Sequence, residues 1–152
     1  MRAMGDDSAT AGGSIPRRHL AIVTCMDARI DPQRALGFQL GDAHVLRNGG
    51  AVITDDMLRS LVLSQRLLET RAVVVMAHTD CGLRKVHDDM LAAELEAETG
   101  VKPPFAFGAF HDIDEHVREQ VERVRKCAWL PHTDAVRGCV LDVTDGSVRD
   151  VV

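Results

Sequence analysis

The sequence predicts an α/β fold, a mainly parallel β-sheet flanked by helices, on three observations. Apolar β-forming runs at 19–24, 43–46, 72–77 and 137–143 alternate with segments whose apolar residues recur at helical spacing, the order of strand–helix–strand units. The run Ala72-Val73-Val74-Val75-Met76-Ala77 has no polar position, so both its faces must be buried, as in the centre of a parallel sheet. The turn signal Thr144-Asp145-Gly146-Ser147 precedes a short apolar segment, 148–152, which permits an antiparallel C-terminal strand.

Residues 1–17, rich in Gly, Ser, Ala and Asp, read as a flexible N-terminal arm. Residues 18–152 read as a single domain. The first strand, 19–24, is followed by Asp31-Pro32, where Asp caps a short helix that Pro can begin and Gly41 can stop. The second strand closes at Asn48-Gly49-Gly50. Thr54 caps a helix over 55–70 whose first turn carries Asp55 and Asp56 against the positive end of the helix dipole. Leu58, Leu61, Val62 and Leu68 make one face with Leu63 and Leu67 beside it, an apolar sector broad enough to be covered on two sides. After the central strand a helix is expected over 83–98, ended by Gly100, then a loop from Lys102 to Phe110. Asp112 and Glu115 begin another helix to about Cys127, with Ile113, Val117, Val121 and Val124 at helical spacing.

With 152 residues, 45% of them hydrophobic, the chain can build one core. A net charge of −5 without a dense Lys/Arg stripe gives no footprint for nucleic acid. No apolar stretch approaches 18 residues and the N-terminal segment is not a signal peptide, so no membrane partner is indicated and the cytoplasm is the expected compartment. The four cysteines, at 25, 81, 127 and 139, form no C-x-x-C pair, which argues against a disulfide framework or a thioredoxin-like motif. Neither a Gly-rich phosphate loop nor a nucleophile elbow is present.

The chemistry concentrates in Cys25-Met26-Asp27-Ala28-Arg29 and His78-Thr79-Asp80-Cys81-Gly82, each directly after a predicted strand. In open α/β sheets the binding crevice lies beyond the carboxyl ends of the strands, where such distant residues meet. Cys25, His78 and Cys81 then offer two thiolates and an imidazole to zinc and leave its fourth position open, the pattern of a catalytic rather than a structural site. The expected product is a zinc-bound hydroxide. Alone, Cys25 would more often be a buried apolar residue; paired with His-x-x-Cys at a second strand end it reads as a ligand. Cys127 and Cys139 read as packing, His19 and His44 as hydrogen-bonded structural groups, and His87, His111, His116 and His132 as surface residues. Asp27 can be a fourth ligand or a carboxylate beside the metal. Arg29 favours the latter, because its fork holds a carboxylate bidentately and leaves one oxygen to orient the hydroxide. If that pair opened, Asp27 could reach the metal and displace the water.

These motifs, together with Gly41-Asp42-Ala43-His44-Val45-Leu46-Arg47-Asn48-Gly49-Gly50, resemble the β-class carbonic anhydrases, most closely the short mycobacterial-type members, from about Arg18 to Val152. The resemblance implies zinc on Cys25, His78 and Cys81, an Asp27/Arg29 catalytic dyad, a Gly82 amide that places the substrate oxygen, and reversible hydration of carbon dioxide to bicarbonate. It also implies a homodimer or a dimer of dimers. Pro16 stands where many members have a Gln that reaches the pocket. With no Tyr in the chain, the family's Trp/Arg/Tyr bicarbonate site is incomplete, although Arg47 matches its Arg, and the phenolic proton shuttle of some plant enzymes is absent. Hydrolases of carbonyl sulfide or carbon disulfide resemble the same subgroup and are the alternative reading. A zinc-stabilised, non-enzymatic fold is the third.

Overall fold

The structure, a computed structural model, describes residues 13–152. The first twelve residues of the expected arm lie outside the described part. From Ser14 the chain runs along the start of the second strand, where the Ser14 carbonyl meets His44 Nε2 at 3.0 Å and the Arg17 amide donates to the Gly41 carbonyl at 3.0 Å.

The strands are β1 (Leu20–Cys25), β2 (Ala43–Asn48), β3 (Ala72–His78), β4 (Val136–Leu141) and β5 (Val148–Asp150). They form one sheet in the order β2-β1-β3-β4-β5. The first four are parallel, and β5 returns antiparallel to β4 with Val148 opposite Leu141. The central place of β3 matches its unbroken apolar sequence: a strand buried on both faces has nowhere to put a polar side chain.

The helices are α1 (Pro32–Leu36), α2 (Asp55–Leu68), α3 (Asp88–Thr99) and α4 (Ile113–Arg125). On one face of the sheet Ala21, Val23, Val73 and Val75 pack with Leu61 of α2 and Val117, Val121 and Val124 of α4. On the other, Met76, Cys139 and Leu141 pack with Ile30 and Phe110, and this smaller cluster encloses Cys25 and Cys81. All four cysteines are buried and unpaired in disulfides. Among the described residues no helix is long and apolar enough to cross a membrane.

Two helices differ from the sequence reading. α1 ends at Gly37, not near Gly41: Gly37 takes the left-handed conformation (φ 64°) and its amide bonds back to the Gln33 carbonyl, so the first available glycine closes the helix. The segment after β3 is split into a 3-10 turn, Gly82–Lys85, and α3. The carboxylate of Asp88, in the first turn of α3, accepts from the amides of Gly108 and Ala109 at 3.0 and 2.8 Å. That long-range anchor fixes where α3 starts.

Gly138 lets α4 lie directly on β4. A Cβ there would come 2.4 Å from Val117 Cγ1 and 2.9 Å from Val121 Cγ2, and both partners are fully buried branched side chains with no room to retreat. Gly138→Ala is expected to destabilise the fold by about 1–3 kcal/mol, the usual cost of overpacking. Denaturant unfolding checks this: the midpoint falls while the slope stays that of the parent.

Candidate metal centre

β1 and β3 are neighbours in the sheet, so their last residues, Cys25 and His78, emerge side by side at its carboxyl edge. The chain then turns sharply through Asp80, which holds a left-handed φ of 52°, and brings Cys81 back beside them. The donor atoms of Cys25, His78 and Cys81 all lie within 4.8 Å of one another. The three residues can hold a metal ion.

His78 is 1% exposed. Its Nδ1 lies 2.9 Å from the Thr79 carbonyl, and a carbonyl only accepts, so the proton sits on Nδ1. The neutral ring therefore presents its lone pair at Nε2, the arrangement that a neighbouring acceptor imposes on metal-ligating histidines. Nε2 is buried and has no hydrogen-bond partner, a costly condition for a polar atom. An ion among the three donors would satisfy it.

The sulfurs point the same way. The neighbouring Cys81 thiol pushes Cys25 down to about 3 against the opposing effect of burial, with further help from the Asp27 and Gly50 amides. Cys81, as the donor in that pair and buried, is pushed up. Two sulfurs this close to each other and to an imidazole nitrogen mark a place where a cation can stand.

Asp27 and Arg29 form the bidentate pair that the spacing suggested: Arg29 Nε donates to Oδ1 at 3.0 Å and Arg29 Nη2 to Oδ2 at 2.7 Å. The Arg29 hydrogen bonds hold the Asp27 carboxyl well below the usual carboxylate range. Oδ2 stands 4.0 Å from His78 Nε2, beside the three donors yet turned to the guanidinium. Gly82, next to Cys81, has open space where a Cβ would be.

Two sets of contacts escaped the sequence reading, which named Arg47 only as matching the Arg of the bicarbonate site. Asp80 receives Arg29 Nη1 at 3.0 Å and Lys85 Nζ at 2.9 Å, so Arg29 ties the loop after β1 to the loop after β3. Arg47, on β2, donates to the carbonyls of Cys25 at 2.9 Å and Asp27 at 2.7 Å; its guanidinium is engaged in holding this loop.

A family model described as carbonic anhydrase matches residues 20–103. The β-carbonic anhydrase 1 of Mycobacterium tuberculosis is 43% identical over 136 residues, covering 90% of this chain and 83% of that protein. The chain belongs to the β-class carbonic anhydrase family. A crystal structure of carbonic anhydrase from Streptococcus mutans superposes on this family member with a TM-score of 0.86 at 40% identity, covering 91% of this chain and 84% of the other. A carbon disulfide hydrolase of Acidithiobacillus thiooxidans is 31% identical over 153 residues, covering 87% of this chain and 76% of that protein.

In this β-carbonic anhydrase fold His116 is not at the surface, as its sequence context suggested, but 3% exposed. Burial holds its pKa below the ordinary 6.5, only partly countered by its bond to the Gly50 carbonyl. A base harder to protonate when folded adds stability above its unfolded pKa and loses that contribution as pH falls below it. Between about pH 6.5 and the lowered folded value the wild type is expected to lose up to about 1.4 kcal/mol per pH unit relative to His116→Gln. Urea titrations of both proteins at stepped pH measure the difference in slope.

Proposed function

We propose that the chain catalyses reversible hydration of carbon dioxide to bicarbonate, with zinc held by Cys25, His78 and Cys81. The observation that carries this reading is the buried, unpartnered lone pair of His78 Nε2, within 4.8 Å of the sulfurs of Cys25 and Cys81. Two sulfurs and an imidazole nitrogen are donors that zinc favours, and three protein ligands leave one position for water. Zinc in this site supplies the Lewis acidity that lets water ionise at moderate pH.

The remaining work falls to the chain's own groups. Arg29 keeps Asp27 ionised and turned away from the imidazole, so that Asp27 Oδ2 accepts a hydrogen bond from the attacking water and aims its lone pair at the carbon of carbon dioxide. The Gly82 amide donates to a substrate oxygen, which gains charge as the new C–O bond forms. Because Asp27 binds protons so weakly, the proton released in hydration passes to solvent or buffer and is not stored on the dyad. Stopped-flow hydration of carbon dioxide by the zinc-loaded protein tests the reading, and absence of turnover above the buffer rate rejects it.

The likeness to carbon disulfide hydrolases supports a second reading, hydrolysis of carbon disulfide or carbonyl sulfide by the same donors. Turnover of those substrates, measured beside carbon dioxide on one preparation, separates the two.

We further place the protein in the cytoplasm, where its four free thiols stay reduced, and read it as a homodimer or a dimer of dimers. Leu67 and Trp129 are 68% and 67% exposed, with Leu63 beside them, and β2 leaves one edge of the sheet unpaired within the protomer. Apolar surface of this kind is what obligate interfaces cover. Sedimentation at micromolar concentration is expected to give twice the chain mass or more, and a stable active monomer would contradict the assembly.

A further inference from the structure

His116 is a buried titratable residue with no place in the chemistry above, and its contacts lead to the metal centre. It lies on α4, stacked on Phe110 with ring centroids 3.9 Å apart and planes within 8°. Gln120 Oε1 accepts from the Ile53 amide at 2.8 Å, which leaves Gln120 Nε2 to donate toward His116 Nδ1 at 3.5 Å. The proton of the neutral ring then sits on Nε2, which donates to the Gly50 carbonyl at 2.9 Å. Gly50 in turn directs its own amide at the Cys25 sulfur, 3.3 Å away.

The turn that joins these groups would not hold its shape unaided. Gly50 and Ala51 both have left-handed backbones, with φ of 76° and 56°; glycine does this freely, but for alanine it costs on the order of 1–3 kcal/mol. Outside anchors fix it: the Asn48 side chain brackets Val52 with two hydrogen bonds, of 2.7 and 3.0 Å, and His116 takes the Gly50 carbonyl. Leu83, two residues past Cys81, closes the other side, since a Cβ on Gly50 would come 2.4 Å from its Cδ1. One strained turn thus touches the surroundings of both sulfur ligands.

We propose that His116 is a positioning residue for the metal centre: by holding the Gly50 carbonyl it aims the Gly50 amide at the Cys25 thiolate, though it touches no ligand itself. The proposal rests on Cys25, His78 and Cys81 being the zinc ligands. An N–H donated to a thiolate fixes the sulfur's direction and draws off part of the charge it would give the metal, which keeps the metal a stronger Lewis acid. Outer partners of this kind change metal affinity or activity by about 10–100-fold when removed.

The test uses the full chain as wild type, His116→Phe and His116→Gln. Phe keeps an aromatic ring against Phe110 and deletes the donor; Gln returns an amide N–H at about the reach of the imidazole Nε2. Zinc affinity is measured by chelator competition, and the Co(II) forms report electron donation by sulfur through their thiolate-to-metal charge-transfer band. In the ¹¹³Cd forms, scalar coupling between the Gly50 amide proton and cadmium reports the N–H···S bond. His116→Phe is expected to bind zinc about tenfold or more weakly, to shift the charge-transfer band, to lose the Gly50–cadmium coupling and to lower kcat with KM unchanged. His116→Gln is expected to recover all four.

A folded His116→Phe protein with wild-type affinity, band and coupling overturns the proposal, whatever its melting temperature. If that variant does not fold, absence of Gly50–cadmium coupling in the wild type overturns it. So does a His116→Gln protein whose Gly50 amide resonance moves while its charge-transfer band stays fixed; both held at their wild-type positions support it. Wild-type protein that binds none of these metals through sulfur rejects the zinc site itself, an outcome distinct from failure of the His116 relay.

Discussion

Cys25→Ser and Cys81→Ser proteins are each expected to carry far less than one zinc per chain and to show no hydration above the buffer rate. Each sulfur is one of the three side-chain donors that lie within 4.8 Å of one another, and a hydroxyl is a poor substitute because it stays protonated where a thiol bound to zinc ionises. The loss should extend to stability. Removing either sulfur leaves His78 Nε2 buried and unpartnered with no cation to satisfy it, at a cost of about 1–3 kcal/mol for such an atom. Metal analysis after dialysis checks the first expectation and thermal unfolding with and without added zinc checks the second. Stoichiometric zinc in Cys25→Ser would remove Cys25 from the ligand set.

Asp27→Asn is expected to separate turnover from metal binding. The amide keeps the size of the carboxylate but cannot take both Arg29 hydrogen bonds as an acceptor, and it presents a donor where the attacking water needs an acceptor. Zinc content and fold should stay near wild type while kcat/KM falls by about 10–100-fold. Arg29→Ala should be comparably damaging for a different reason. Without the guanidinium the carboxylate keeps the residue 29 amide on Oδ1, at 2.9 Å, but loses both side-chain hydrogen bonds, so that Oδ2, 4.0 Å from His78 Nε2, can turn onto the metal. Stopped-flow kinetics combined with metal-edge spectroscopy distinguishes the two variants: unchanged coordination in Asp27→Asn, an added oxygen ligand in Arg29→Ala. Full turnover in Asp27→Asn would end the orienting role of the dyad.

The sheet and the donors were legible for one reason. The apolar runs before Cys25 and His78 can only be buried strands, and parallel strands deliver the residues at their carboxyl ends to a common edge. The Asp27/Arg29 pair was legible because two residues of loop fit a guanidinium fork to a carboxylate. Asp80 was not, because its meeting with Arg29 depends on a left-handed turn at an aspartate, which no local preference demands. His116 was misplaced although a signal existed: it stands three residues after Ile113 and four before Gln120, on the face that Val117, Val121 and Val124 bury. Its polarity outweighed its position. The break before α3 and the early end of α1 were decided by a long-range carboxylate anchor and by a choice between two glycines, and neither is visible in helical periodicity.

The strand order has a consequence for how the chain is made. β1 lies between β2 and β3, so during synthesis Cys25 can enter a β1–β2 pair early but cannot meet His78 or Cys81 until β3 has been delivered. Cys25 and Cys81 are 56 residues apart, and at about 5–20 residues per second the first thiol waits about 3–11 s for the second. For that interval Cys25 is a lone sulfur at the end of a half-built sheet, open to oxidants and stray metals that the finished centre excludes. The interleaved topology therefore leaves Cys25 without its partner sulfur until β3 and the turn after it have been made.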